Sequence, residues 1–258
     1  MRLRSLSTFI TGGSSGIGLA TAEAFVAQGA TVAITGRDRS TLDAVTGRLG
    51  KSCKGFIADS SDDGAVGQAL ADAAGSNGID VLFVNAGNYV HAPLGQASRA
   101  EIEHQMKVVA NAFMTVQLAL PHFNEGASII LMGSVYATMG PPGGGAYAAS
   151  KAAVAAMARS MASELASRSI RVNVVVPGAI DTPSWSHDSM EPAEQARHKH
   201  AIGERALINR MVTADEVANA VVFLASRDSS GVNAAEIVVD GGTTGAVAGT
   251  PRYARGEP

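Results

Sequence analysis

The chain has a single cysteine, Cys53, among 258 residues. One thiol excludes an internal disulfide and any metal site built from several cysteines, and the simplest reading is a reducing compartment. Because Cys53 precedes an apolar, strand-like run, it reads as a small core or near-core residue and not as a nucleophile. Charge is scarce too: 17% of residues are charged and the formal net charge is −3. That balance gives no electrostatic footprint for nucleic acid. No apolar run approaches the ~20 residues that a bilayer-spanning helix needs. The opening MRLRSLSTFITGG holds two arginines, but its apolar run is too short and too broken for a signal peptide. The expectation is a soluble, cytoplasmic protein without a nucleic-acid or membrane partner.

Apolar residues, by contrast, are plentiful, at 46%, and they come in runs. Strand candidates are STFIT (7–11), TVAIT (31–35), KGFIA (54–58), DVLFV (80–84), SIILMG (128–133), RVNVVV (171–176) and AEIVVD (235–240). Several are almost continuously apolar, as parallel strands covered on both faces are. Helix-length stretches such as GLATAEAFVAQ, GAVGQALADAAG and ADEVANAVVFLAS separate them, each connection being long enough for a right-handed crossover. The alternation predicts the α/β class: one doubly wound parallel sheet of about seven strands with helices on both faces. Residues 1–258 are expected to form a single domain. A polar insertion at about 184–209 and a glycine-rich, irregular tail at 243–258 break the rhythm.

Directly after the first strand comes GGSSGIG, with Gly12, Gly16 and Gly18 ahead of an amphipathic helix. A strand, a glycine turn and a helix N-terminus together let phosphate oxygens approach backbone N–H groups where the helix dipole favours negative charge. Gly12, Ser14, Ser15, Gly16, Ile17 and Gly18 are thus candidates to hold a dinucleotide. About 20 residues on, where a carboxylate ordinarily takes the ribose hydroxyls, the sequence reads Gly36, Arg37, Asp38. Arg37 suits a 2′-phosphate, which favours NADP(H). NAD(H) stays open if Asp38 takes the ribose, and a solvated turn is the plainest alternative.

The stretch SVYATMGPPGGGAYAASK contains Ser134, Tyr136, Tyr147 and Lys151. Positions i and i+4 share a helix face, so Tyr147 and not Tyr136 has an ammonium one turn on. A phenol titrates near ~10, and a close positive charge lowers that value. Tyr147 then reads as the acid/base for a carbonyl or alcohol, with Ser134, at the end of a central strand, donating to the reacting oxygen. The competing reading is an ordinary surface Tyr and Lys one turn apart.

In order and spacing, TGGSSGIG (11–18), NAG (85–87), Ser134, Tyr147 with Lys151, PG (177–178) with Thr182, and VDGG (239–242) resemble the short-chain dehydrogenase/reductase family, with a 3-oxoacyl reductase-like pattern over nearly the whole chain. The resemblance implies a Rossmann-type fold and an oxidoreductase passing a hydride between NADP(H) and a small carbonyl or secondary alcohol. It implies that Lys151 also bonds the nicotinamide ribose, and that Asp59 and Ser60 flank the adenine. Asn85, Ala86 and Gly87 would line the cleft, and Pro177, Gly178, Ile180 and Thr182 would sit against the nicotinamide. A homotetramer is expected, with a dimer as runner-up. A non-catalytic, cofactor-sensing protein on the same fold is the main rival.

One departure favours that rival. Relatives carry a relay asparagine in the helix before the serine strand, where one register puts Val108 and another Val109. Asn111 is close enough to substitute, or it is a plain helix residue. In the insertion, His187, His198 and His200 read as a solvated lid in preference to a metal site, no metal being expected. Trp185 and Met190 either wall the substrate or hold the lid down.

Overall fold

The computed structural model describes residues 1–183 and 191–245. In chain order the strands are β1 (Ser7–Ile10), β2 (Thr31–Gly36), β3 (Cys53–Ile57), β4 (Ile79–Val84), β5 (Phe123–Met132), β6 (Arg171–Pro177), the two-residue β7 (Ile180–Asp181) and β8 (Val212–Thr213), and β9 (Glu236–Val239). Seven of them make one parallel sheet in the order β3-β2-β1-β4-β5-β6-β9, while β7 and β8 pair with each other. The helices are α1 (Gly16–Ala27), α2 (Arg39–Leu49), α3 (Asp63–Ala74), α4 (Arg99–Ala119), α5 (Gly145–Glu164), α6 (Pro192–Gly203) and α7 (Ala214–Ala225).

Strand side chains alternate between faces, and the sheet therefore splits the core in two. In β4, Leu82 and Val84 join α3, α4 and α5 on one side, whereas Val81 and Phe83 join α1, α2 and α7 on the other. Both layers are needed to cover strands that are apolar at nearly every position, as the sequence pattern demanded. Cys53 lies in the second layer, where burial pushes its thiol up to about 11.

β5 begins five residues earlier than its apolar run suggested. Phe123 pairs with Ile79 across the polar segment Asn124–Gly126, and the register shifts before Val81 resumes pairing with Ser128. The insertion contains α6, most of whose residues are exposed. Trp185, His187 and Met190, like the tail from 246 on, lie outside the described residues. Among the described residues no helix is long and apolar enough to cross a membrane.

The order of connection reverses between β1 and β4. In open α/β sheets the carboxyl edge at such a reversal is a ready-made crevice.

Candidate active site

The crevice begins with a brace. The Thr11 hydroxyl, just past β1, accepts the N–H groups of Asn85 and Ala86 at 3.0 Å each. The Asn85 amide in turn donates to the carbonyls of Thr11 and Gly12, both at 3.0 Å. Asn85, expected to line the cleft, uses its side chain to tie the loop after β4 to the glycine loop after β1. A Cβ on Gly18 would collide with the Gly12 carbonyl and that amide, so α1 can start this close to β1 only with glycine there. Ser15 stands at the N-cap of α1 without a side-chain capping bond, and no acidic residue occupies the first turn. First-turn N–H groups lacking an internal acceptor are the donor set that fits a phosphate.

Around that terminus the other expected residues are arrayed unevenly. Thr182 reaches toward Gly16, its methyl lying 3.6 Å from where a Cβ would stand. Gly178 packs flat on Asp240. Burial alone would raise the Asp240 carboxyl, but bonds from Thr244 and Gly242 hold it below its ordinary value. Pro177 is buried, and the Ile180 side chain belongs to the core. Ile180 can thus serve a ligand only through its backbone, which identity alone did not reveal.

At the end of β2, Ser14 Oγ lies 2.9 Å from the point a Gly36 Cβ would occupy, so a carboxylate-bearing residue at 36 would displace it. Asp38 is the N-cap of α2: one of its oxygens accepts from Thr41 N at 2.8 Å, Ser40 Oγ at 2.7 Å and Thr41 Oγ1 at 2.6 Å. Those bonds, that from Ser40 foremost, lower its carboxyl to about 2. Arg37 is exposed beside them. Asp59 accepts from Ser61, which is the first cause of its lowered pKa, with the Arg37 charge a lesser one. Ser60 is half-buried next to it.

Ser134, Tyr147 and Lys151 come together beyond the end of β5. Ser134 opens a short turn over Val135–Ala137, its Oγ accepting the Tyr136 N–H at 3.2 Å. The Pro-Pro-Gly run then brings the chain back into α5. Tyr147 and Lys151 share a face there, yet Lys151 Nζ sits 5.7 Å from the Tyr147 ring centre and donates to the Met132 carbonyl at 2.8 Å. The expected depression of the phenol pKa is absent. Burial raises Tyr147 above the ordinary value, its hydrogen bond with Ser134 opposes that rise, and Tyr136 and Tyr89 add to it. Burial also brings Lys151 down to about 8. Helical spacing fixed the placement; desolvation decided the sign.

The register of the departure resolves to Val108. Its Cγ1 and Lys151 Nζ are both 3.7 Å from the point where a Gly87 Cβ would stand. Val109 is only half-buried. Asn111 makes no hydrogen bond to Lys151 among the described residues; its carbonyl accepts from Thr115 within the helix.

Sequence reasoning missed three residues here. The Tyr89 ring stands edge-on to Tyr147 at 5.1 Å and to Tyr136 at 6.2 Å, and Tyr136 meets Tyr147 at 6.0 Å. His91 Nδ1 lies 3.3 Å from the Tyr89 hydroxyl and its ring packs where a Gly143 side chain would be, which is why position 143, at φ 71°, must be glycine. Gln105, on α4, is fully buried; it accepts from Val90 N at 2.9 Å and donates to the Asn88 carbonyl at 3.2 Å and to Ser150 Oγ at 3.4 Å. Ser150 donates onward to the Tyr147 carbonyl at 2.8 Å. One signal was available: Gln105, Val108, Ala112, Thr115 and Ala119 mark the buried face of α4, and an amide on that face needs partners.

Among known proteins, the family model described as enoyl-(acyl carrier protein) reductase matches residues 12–244. The chain is 36% identical over 255 residues to an oxidoreductase, asL5, of Sarocladium schorii, covering 93% of this chain and 96% of that one. It is 34% identical over 250 residues to the 3-oxoacyl-[acyl-carrier-protein] reductase FabG of Thermotoga maritima, covering 94% and 99%. A solved glucose/ribitol-type short-chain dehydrogenase/reductase of Brucella melitensis superposes with a TM-score of 0.86 at 31% identity, covering 95% of this chain and all of that one.

Proposed function

The chain belongs to the short-chain dehydrogenase/reductase family of hydride-transfer oxidoreductases, and on that premise we propose that it interconverts a carbonyl and a secondary alcohol with NADP(H), using Tyr147 as acid/base. The observation that carries this is the convergence of Ser134, Tyr147 and Lys151 at the carboxyl edge of β5. NADPH, when bound, would supply the hydride for the carbonyl carbon. Tyr147 gives its proton to the carbonyl oxygen, burial holding the phenol in its protonated, donor form. Ser134 donates a hydrogen bond to the oxygen as charge develops on it. Lys151, held at the Met132 carbonyl, keeps a positive charge under the phenol while it is protonated.

The glycine-loop residues Gly12, Ser14, Ser15, Gly16, Ile17 and Gly18 would hold the pyrophosphate, and Asp59, Ser60, Ala86, Gly87, Pro177, Gly178, Ile180 and Thr182 the rest of the dinucleotide. NADP(H) is favoured over NAD(H) because Gly36 carries no carboxylate and that of Asp38 is engaged in capping α2. We read residues 1–258 as one catalytic domain, with 184–209 as a substrate lid. The Lys199–Asp181 ion pair of 2.7 Å supports this, since it fastens α6 to β7. A homotetramer is the proposed assembly, supported by the exposed side chains of Ile102, Met106 and Phe113 along α4.

Tyr147→Phe is the test. It should still bind NADPH, read by fluorescence, while reduction of any accepted carbonyl falls by roughly 10²–10⁴-fold. A variant that keeps its rate would overturn the role of Tyr147. The second reading, a cofactor-sensing protein without turnover, is favoured by apolar Val108, which like Lys151 faces Gly87. It predicts NADPH binding in the wild-type protein with no carbonyl reduced across a broad panel.

A further inference from the structure

We propose that Tyr89 is a substrate-facing, specificity-determining residue, and that the substrate is a neutral ketone, or the matching alcohol, with an aromatic ring attached to the reacting carbon. This rests on the reading of Tyr147 as acid/base. The chain has four tyrosines, and three of them form a single edge-to-face set about the reacting phenol. Interplanar angles are 79° for Tyr89–Tyr147, 89° for Tyr136–Tyr147 and 67° for Tyr89–Tyr136. Such a set takes a further ring in the same offset or edge-on manner, and a saturated ring of equal size gains the burial but not the quadrupole interaction.

Tyr89 is 45% exposed and packs edge-on against the half-buried Tyr147. Its neighbourhood is apolar as well. Leu94 on the same loop and Met139 on the loop before α5 are exposed, and the two loops are joined by the Ala92 N–H donating to the Gly143 carbonyl at 2.8 Å.

The wall is built in advance. Gln105 fixes the backbone of residues 88 and 90 from within α4, and His91 holds the Tyr89 hydroxyl from the other side. A ring held this way loses little freedom when a ligand meets it. The wall is also uncharged, because burial, with the Tyr136 phenol next, raises Tyr89, and burial raises Tyr147. No carboxylate or guanidinium among the described residues hydrogen-bonds to any of the three phenols. A substrate carboxylate would find no guanidinium in this set, and the Lys151 ammonium beneath Tyr147 is already bonded to the Met132 carbonyl. In the reaction the ketone carbon would gain a hydride from NADPH and its oxygen a proton from Tyr147, giving the alcohol, NADP⁺ and a Tyr147 phenolate that takes a proton back from solvent.

The experiment measures kcat/KM with NADPH for acetophenone, cyclohexyl methyl ketone and pyruvate in wild type, Tyr89→Phe and Tyr89→Leu. Intrinsic reactivity cancels when the acetophenone-to-cyclohexyl ratio is compared between proteins. That ratio should persist in Tyr89→Phe and drop by about five- to ten-fold in Tyr89→Leu, with pyruvate the poorest substrate throughout. The ratio of Kd values for 1-phenylethanol and 1-cyclohexylethanol in the presence of NADP⁺ should change in parallel, and it needs no turnover. An unchanged ratio in Tyr89→Leu, a preference for pyruvate, or wild-type protein that reduces neither neutral ketone overturns the proposal. Tyr147→Phe separates the two levels. If it abolishes turnover while the ratio ignores Tyr89, only the aromatic subsite fails; if it turns over at the wild-type rate, the acid/base reading fails with it.

Discussion

Lys151 is nearly excluded from solvent, and burial lowers its pKa to about 8. An unfolded lysine titrates near ~10.4, so between those values the unfolded chain binds more protons than the folded one. Stability of the cofactor-free protein should therefore rise with pH from about 8 to about 10, by on the order of 2–3 kcal/mol. Urea unfolding at several pH values checks this: the climb should flatten in Lys151→Met, and parallel curves would remove Lys151 as its source. Arg37 carries the next expectation. Arg37→Ala should raise KM for NADPH by roughly 10–100-fold, the loss of a charge-assisted bond, and leave NADH kinetics nearly unchanged. Asn111→Ala should leave kcat almost unaltered, since that side chain has no bond to Lys151. At this scale the sequence disclosed which side chains meet but not their solvation. Tyr147 and Lys151 were legible from i,i+4 spacing, whereas the raised phenol comes first from burial in the folded chain, with Tyr136 and Tyr89 on other loops adding to it.

Helix α4 does more than cover the sheet. Its buried Gln105 joins the loop after β4 to α5 through Ser150. Gln105→Leu would leave the Val90 N–H and the Asn88 carbonyl without that partner, a loss of about 1–3 kcal/mol. Urea titration should show it, and an unaltered midpoint would mean that the loop is held by other contacts. The network escaped the sequence reading because its members are 15 to 45 positions apart, beyond any local periodicity. Elements whose logic is local were legible. The strands of the main sheet emerged from continuous apolar runs, and α1 from the glycine turn before it. β7 and β8, two residues each, have no pattern long enough to recognise.

The whole molecule presents Ile102, Met106 and Phe113 on the outer side of α4 at spacings of four and seven, a stripe one helix long that a second copy can cover. Light scattering should report an oligomer for the wild-type chain and smaller species for Phe113→Glu; a wild-type monomer would sink the proposed assembly. The sheet order has a different consequence, in time. Strands β1 to β4 are contiguous in the chain and contiguous in the sheet, so the first 84 residues can pair before the rest is made. The β4 edge then waits for β5, which starts at residue 123. At ribosomal speeds of about 5–20 residues per second that wait is roughly 2–8 s, during which a strand of Val81, Leu82 and Phe83 has one open flank. Chaperone demand during synthesis should rise in that interval and recur while the β5 edge waits for β6 and the β6 edge for β9.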